Sequence, residues 1–285
     1  MFRMFAAQLW LLDGRWRAVL ALCTALAAPA VWAAEPFGVV EFATGSASVV
    51  DAQGQTRPAQ AQDKLAVGDT LVTGRDGELH VRTEDNGYVA LRANSRMRVD
   101  SYQAHAAPDD NYAVSLLVGA MRSISGWIGK VKPAAYQIKT PTATIGIRGT
   151  DHETYVVAPA EGGAALPPGM QAGTYDKVNS GATVIQTDKG SVDVAPNQSG
   201  FVPHGGGAAP RTLARVPGFF KKSRFEGRID RRSQMLAANQ EKHRAQRARQ
   251  KAAEQKRADK AEKAAQGEGP HGRRQPRHEG GAKGK

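Results

Sequence analysis

Between Phe37 and about Val202, apolar and polar positions alternate in short runs, with turn-forming residues roughly every 8 to 12 positions, the pattern of an all-β domain. The clearest runs are Val39 to Val50, Glu78 to Thr83, Tyr88 to Arg92 and Arg96 to Tyr102. Further strands are predicted at Tyr112 to Val118, Gly119 to Ile124, Tyr136 to Thr140, His152 to Val157, Thr174 to Asn179, Ala182 to Gln186 and Ser191 to Val194. Asp85-Asn86-Gly87 separates two of the runs and predicts a tight hairpin, because Asn and Gly both tolerate the positive φ that such a turn demands. None of these strands is long enough to stand alone. A mainly β fold follows, either β-solenoid-like or a sandwich, since both stack short strands so that their apolar faces are covered. No strict internal period selects between the two.

The pattern changes at both ends. Arg3, Arg15 and Arg17 precede an apolar run from Ala18 to Val31 that ends in small residues, so residues 1–33 read as an export signal cleaved near Ala33. At about 14 residues the run is short for a spanning helix, which needs roughly 20; a retained anchor is the other reading. Pro203 to Pro210, with three consecutive glycines, reads as a hinge, and 203–228 as a linker after a β domain at 35–202. From Ile229 to Gln266 the chain is built of Ala, Gln, Glu, Lys and Arg, strong helix formers, and predicts a basic helix. Its alanines build no Leu-type seam, which argues against a coiled coil. Residues 267–285 have the composition of a disordered tail. Within the body, Ala158 to Gly173 reads as a long loop.

Charge follows the same division. The formal net charge is +12, but from Arg211 to the end 22 Lys and Arg stand against 8 Asp and Glu, while residues 35–210 are mildly acidic. A basic tail on an acidic body suits contact with an anionic polymer or membrane. The cations expected to make it are Arg231, Arg232, Arg244, Arg247, Arg249, Lys256 and Arg257. Lipopolysaccharide phosphates, anionic lipid or an acidic protein suit an exported chain better than nucleic acid does; a solvated helix with mixed Glu/Lys pairs is the alternative. Phe219, Phe220 and Phe225 cluster just before the helix and suit either docking on the body or dipping into a membrane surface. The single cysteine, Cys23, lies inside the leader, so the mature chain carries no thiol chemistry.

Catalytic signatures are scarce. Asp151-His152-Glu153 is the densest ionisable cluster in the body, but in a strand Asp151 and Glu153 share one face while His152 points to the other. That does not gather three ligands on one metal, and solvated strand-edge charges are expected instead. His80 and His105 have no nucleophile-elbow motif nearby, and neither G-x-G-x-x-G after a strand nor a P-loop is present. Asp109-Asp110-Asn111 reads as a turn. No metal or cofactor is expected. A hydrolase on a β-solenoid needs paired carboxylates in a cleft, which sequence does not locate.

Two motifs are distinctive. The first is Val67-Gly68-Asp69-Thr70-Leu71-Val72-Thr73-Gly74, followed by Gly77-Glu78-Leu79, the Asn86-Gly87 hairpin, and Leu91 through Asn94-Ser95. The second runs from Ile138-Lys139-Thr140-Pro141-Thr142-Ala143-Thr144 to Ile145-Gly146-Ile147-Arg148-Gly149-Thr150. With them the body resembles the FecR domain family, over residues 37 to 157, with Thr174 to Val202 similar to its closing strands. The resemblance implies an all-β, solenoid-like periplasmic module that receives a signal through protein contact. Members that regulate sigma factors carry an N-terminal cytoplasmic segment and a retained transmembrane helix. Only about 17 residues precede the apolar run here, too few to fold as such a domain, and the sigma-regulator role is not carried over.

Read physically, Pro141 cannot donate to a ladder, so Thr140-Pro141 marks a strand end or edge. Gly146 and Gly149 permit close backbone approach or a bulge around Arg148. Arg148 then either reaches an acidic partner or pins a turn within its own domain. Thr140, Pro141, Arg148, Gly149 and Thr150 are the expected partner contacts. The chain is therefore expected to be an exported, non-enzymatic interaction, sensing or scaffold module that binds an envelope or periplasmic protein, or alternatively an anchoring protein held to the envelope by its tail.

Overall fold

The computed structural model describes residues 34–160, 166, 169–205 and 207–267. The leader expected at 1–33 lies outside the described residues, as do residues 268–285 of the tail expected at 267–285. Two compact units are present, one ending at Val216 and one beginning at Pro217.

The first unit is a mixed 17-stranded sheet. Its strands are β1 (Pro36–Thr44), β2 (Ala47–Val50), β3 (Thr56–Pro58), β4 (Lys64–Ala66), β5 (Thr70–Thr73), β6 (Glu78–Thr83), β7 (Tyr88–Leu91), β8 (Arg96–Gln103) and β9 (Asn111–Ile124). A helical turn α1 (Ile128–Val131) and a 3-10 turn (Pro133–Ala135) lead to β10 (Tyr136–Lys139) and β11 (Thr144–Ile147). The remaining strands are β12 (Asp151–Val157), β13 (Gly173–Ser180), β14 (Thr183–Thr187), β15 (Gly190–Val194), β16 (Ser199–Pro203) and β17 (Arg211–Thr212). The last of these falls within the stretch read from sequence as a linker, paired with Gly200 and Phe201.

The ladders run in two layers. One carries the order β4-β1-β6-β7-β9-β12-β13-β16-β17. The other carries β3-β2-β5-β8-β9-β10-β11-β14-β15. Pairing among the described strands is antiparallel except between β9 and β10. The chain passes from layer to layer as it advances, a sandwich that grows in one direction like a solenoid. Val81, Leu91, Met121, Val156 and Val178 from the first layer meet Leu71, Met97, Val114, Ile138 and Ile185 from the second in one apolar core.

Among the described strands, only β9 belongs to both layers. Its first half pairs with β8 and β10, its second half with β7 and β12. The change of layer occurs at Gly119, whose φ of +88° suits glycine, and where a Cβ would lie 2.2 Å from Ser95 Oγ. At the β6–β7 hairpin Asn86 takes φ +59°, as its sequence predicts.

Beside that hairpin lies an aromatic cluster. Tyr112 and Tyr136 stack with centroids 3.8 Å apart, and Tyr102 meets Phe37 edge-on. The Tyr102 hydroxyl accepts the Asp85 N–H at 2.6 Å and donates to Asp85 Oδ1 at 3.1 Å, while Tyr136 and Ser123 share a hydrogen bond. Burial pushes the hydroxyls of Tyr102, Tyr112 and Tyr136 far above the ordinary phenol range.

The second unit is dominated by α2 (Glu226–Gly267). Ser223 and Glu226 start it as a capping box: the Phe225 N–H donates to Ser223 Oγ, and Glu226 Oε2 accepts the Ser223 N–H. Phe219 and Phe220 stack on each other, and the Arg224 guanidinium lies over the Phe225 ring. No helix of the described residues is long and apolar enough to cross a membrane.

Candidate functional site

The Thr140 to Thr150 motif forms the turn after β10, then β11 and the turn into β12. Its threonines are linked by hydroxyls. Thr142 Oγ1 donates to Thr174 Oγ1 at 2.7 Å, Thr174 donates to Thr140 Oγ1 at 2.8 Å, and Thr140 donates to the Ala143 carbonyl at 2.9 Å. Thr174 is a fully buried residue of β13, so this relay ties the β10–β11 turn of one layer to the interior of the other. Thr150 is likewise buried: its hydroxyl donates to the Ala182 carbonyl and its N–H to Ser125 Oγ. The buried Thr150 and the half-buried Thr140, both expected among the contact residues, hold turns of the scaffold, because a small hydroxyl can satisfy backbone groups inside a turn.

Pro141 and Arg148 are exposed. Gly149 takes φ +62°, which turns the chain after Arg148. The Arg148 guanidinium donates to Asp193 Oδ1 on β15 at 2.8 Å, with the two side chains 59% and 69% exposed. Arg148 thus finds its acid within its own domain while its charge stays open to solvent.

Toward the other end of β11, the outer face of the second layer forms an open groove of about 520 Å³ lined by Gln137, Lys139, Thr140, Ala143, Thr144, Gln186, Thr187 and Asp188. Register explains the lining. Lys139 is opposite Thr144, Thr144 opposite Gln186, and Gln186 opposite Ser191, so one polar row crosses four strands. Ile138, Ile145 and Ile185 alternate with these positions and are buried in the core. Thr140 and Thr187 are engaged in their own turns. The side chains of Gln137, Lys139, Thr144 and Gln186 form no hydrogen bond within the described residues, which leaves amide, hydroxyl and ammonium groups facing the groove.

Asp151-His152-Glu153 corrects an expectation. The cluster lies on β12 between β9 and β13, not on a strand edge, and Asp151 and His152 are buried. As the alternation requires, the side chains divide. His152 Nδ1 is 2.7 Å from Asp176 Oδ1, and Thr154 and Thr183 also donate to that carboxylate. His152 Nε2 is buried with no hydrogen-bond partner among the described residues. This is an Asp–His pair with no surface on which to meet a substrate. Toward the other face, Arg122 makes a bidentate pair with Asp151, Lys177 bonds Glu153 at 2.8 Å, and Arg92 lies 3.6 Å from Glu153 and 3.7 Å from Glu78. Glu78 in turn is 2.7 Å from His80. No group of three or more His, Cys, Asp or Glu among the described residues is placed to hold a metal.

In the tail, helical phase divides the seven predicted cations. Positions 231, 249 and 256 fall on one side, flanked by 232 and 257, whereas 244 and 247 fall on the other.

Comparison with known proteins bears on the β unit. The model of the FecR protein family matches residues 69–165. Two crystal structures of a candidate anti-sigma factor from Parabacteroides distasonis ATCC 8503 align with 51% of this chain at 14% identity and a TM-score of 0.39. The aligned part is 59% of that protein's length. A cell surface anchoring domain aligns with 22% of this chain, and 82% of its own, at 26% identity and a TM-score of 0.21. No curated protein matches the chain. The family match runs from Asp69 of the first motif, on the approach to β5, through Arg148-Gly149-Thr150 of the second, and residues 69–165 are a FecR domain.

Proposed function

We propose that this chain is an exported, periplasmic, non-enzymatic FecR-domain protein that binds a protein partner through the outer face of its second layer. The observation that carries the reading is the groove over β10, β11 and β14, lined by Gln137, Lys139, Thr144 and Gln186, in the same layer as the exposed Arg148–Asp193 pair past the other end of β11. The groove draws Lys139, Thr140, Ala143 and Thr144 from the second motif and Gln186, Thr187 and Asp188 from β14 and the turn after it, and its outward side chains do nothing for the core. Buried threonines beneath them supply rigidity, which lowers the ordering cost of binding. The His152–Asp176 pair is sealed from solvent, which favours interaction over catalysis. Affinity capture from periplasmic extract with the full chain tests this: Gln137→Ala with Gln186→Ala should lose a specific partner that the native chain retains. Equal recovery by both removes the groove from the reading.

A second reading, envelope adhesion through the basic helix, is favoured by α2, a 42-residue helix carrying exposed Arg231, Lys242, Arg249, Lys256 and Arg257.

A further inference from the structure

The cations of α2 are not spread evenly around it. On a wheel of 100° per residue, Arg231, Lys242, Arg249 and Lys256 fall within roughly 40° of one another, and Arg257 borders them. Lys242, Arg249 and Lys256 are seven residues apart, close to two turns. Glu241 and Asp259 lie roughly 60° beyond one edge of the row, as far as Arg257 lies beyond the other, and Glu254 is on the opposite side of the helix. The row is exposed at Arg231, Lys242, Arg249 and Lys256, and over those residues it runs about 38 Å at 1.5 Å per residue.

Resting on the second reading above, we propose that this carboxylate-free face of α2 docks lengthwise on an anionic phospholipid bilayer. Its form selects that occupant. A protein interface of such length is expected to centre on buried aromatic or aliphatic anchors, and between Ala237 and Gln266 the helix has no side chain larger than Ala that is apolar. A nucleic acid groove curves away from a straight rod within a few turns, and the row carries no aromatic side chain for bases. A planar array of phosphates meets a straight row of cations along its whole length. With no apolar stripe to insert, the helix rests on the headgroups, and its opposite side, with Glu254, faces water.

Co-sedimentation of the full chain with vesicles of equimolar phosphatidylglycerol and phosphatidylcholine tests the proposal. Two triple variants remove the same charge from different sides: K242Q/R249Q/K256Q from the row, R244Q/R247Q/K251Q from the opposite side. Each near-surface cation contributes about 1 kcal/mol, so the first triple should bind about 100-fold more weakly. The second places its lost charges about a helix diameter, roughly 10 Å, from the membrane, near the Debye length, and should stay within about threefold of the native chain. Circular dichroism should show the same helicity in all three, since Gln is a strong helix former. Equal losses in the two triples would overturn the facial docking while leaving tail adhesion standing. Binding to soluble polyphosphate without binding to vesicles would overturn the membrane as occupant. Binding to neither would remove the adhesion reading as well.

Discussion

Arg122 and Asp151 face each other across the β9–β12 ladder, Nε to Oδ1 at 2.8 Å and Nη2 to Oδ2 at 2.7 Å, both nearly closed to solvent. Removing one member leaves the other charge buried. Asp151→Ala should therefore cost about 3–5 kcal/mol in urea unfolding, whereas the double change Arg122→Met with Asp151→Leu should cost much less than twice that. A loss below about 1 kcal/mol for the single variant would show that the pair does not hold the strands together.

The threonine relay predicts an effect at a distance. Thr174→Val keeps the shape of the side chain but breaks both hydroxyl bonds to the β10–β11 turn. It should destabilise by about 1–3 kcal/mol and speed hydrogen exchange at the Ala143 amide, which donates to Thr140 Oγ1. Unchanged exchange there would mean that the turn is held by its own backbone alone.

High pH should unfold the β unit through its tyrosines. Burial raises Tyr102, Tyr112 and Tyr136 above the ordinary value of 10.0, so the unfolded chain releases these protons first. Their contribution to stability is complete below pH 10 and declines as pH rises above it, by about 1.4 kcal/mol per pH unit for each tyrosine. Phenolate absorbance should rise cooperatively with loss of the β circular dichroism signal. Titration of all six tyrosines near pH 10 in a folded chain would contradict the buried cluster.

Much of this fold is legible in the sequence where a single local rule decides. Asn86-Gly87 marks its hairpin, and Glu78 to Thr83 alternates cleanly enough to be bounded at both ends. Gly119 is read as a boundary between two strands, but it is the bend of one, since a glycine that permits a turn in a chain does not say whether pairing resumes at once. The three-residue strands β3 and β4 are too short to show a period. Ser223 and Glu226 carry a capping-box spacing that places the start of α2 three residues before the composition changes. The site is legible only as a motif. What its threonines touch depends on Thr174, more than thirty positions away, and the burial of Asp151 depends on Arg122, 29 positions earlier. Such pairings follow from strand order, which composition does not contain.

Arg148 separates a stabilising role from a binding one. Its pair with Asp193 is exposed, and exposed pairs contribute about 0.2–1 kcal/mol, so Arg148→Ala should leave the unfolding midpoint nearly unchanged. The same change should weaken partner capture, because a charge at the rim of an interface steers and orients association. A large drop in stability would instead assign Arg148 to the scaffold.

The most direct measurement is site-specific photo-cross-linking in living cells from position 186 in the groove, compared with position 57 on β3, in the full chain with and without the Arg148→Ala change. The account predicts one discrete adduct of a second protein from position 186, absent from position 57 and reduced by Arg148→Ala. No adduct from 186, or the same adducts from both positions, would contradict it.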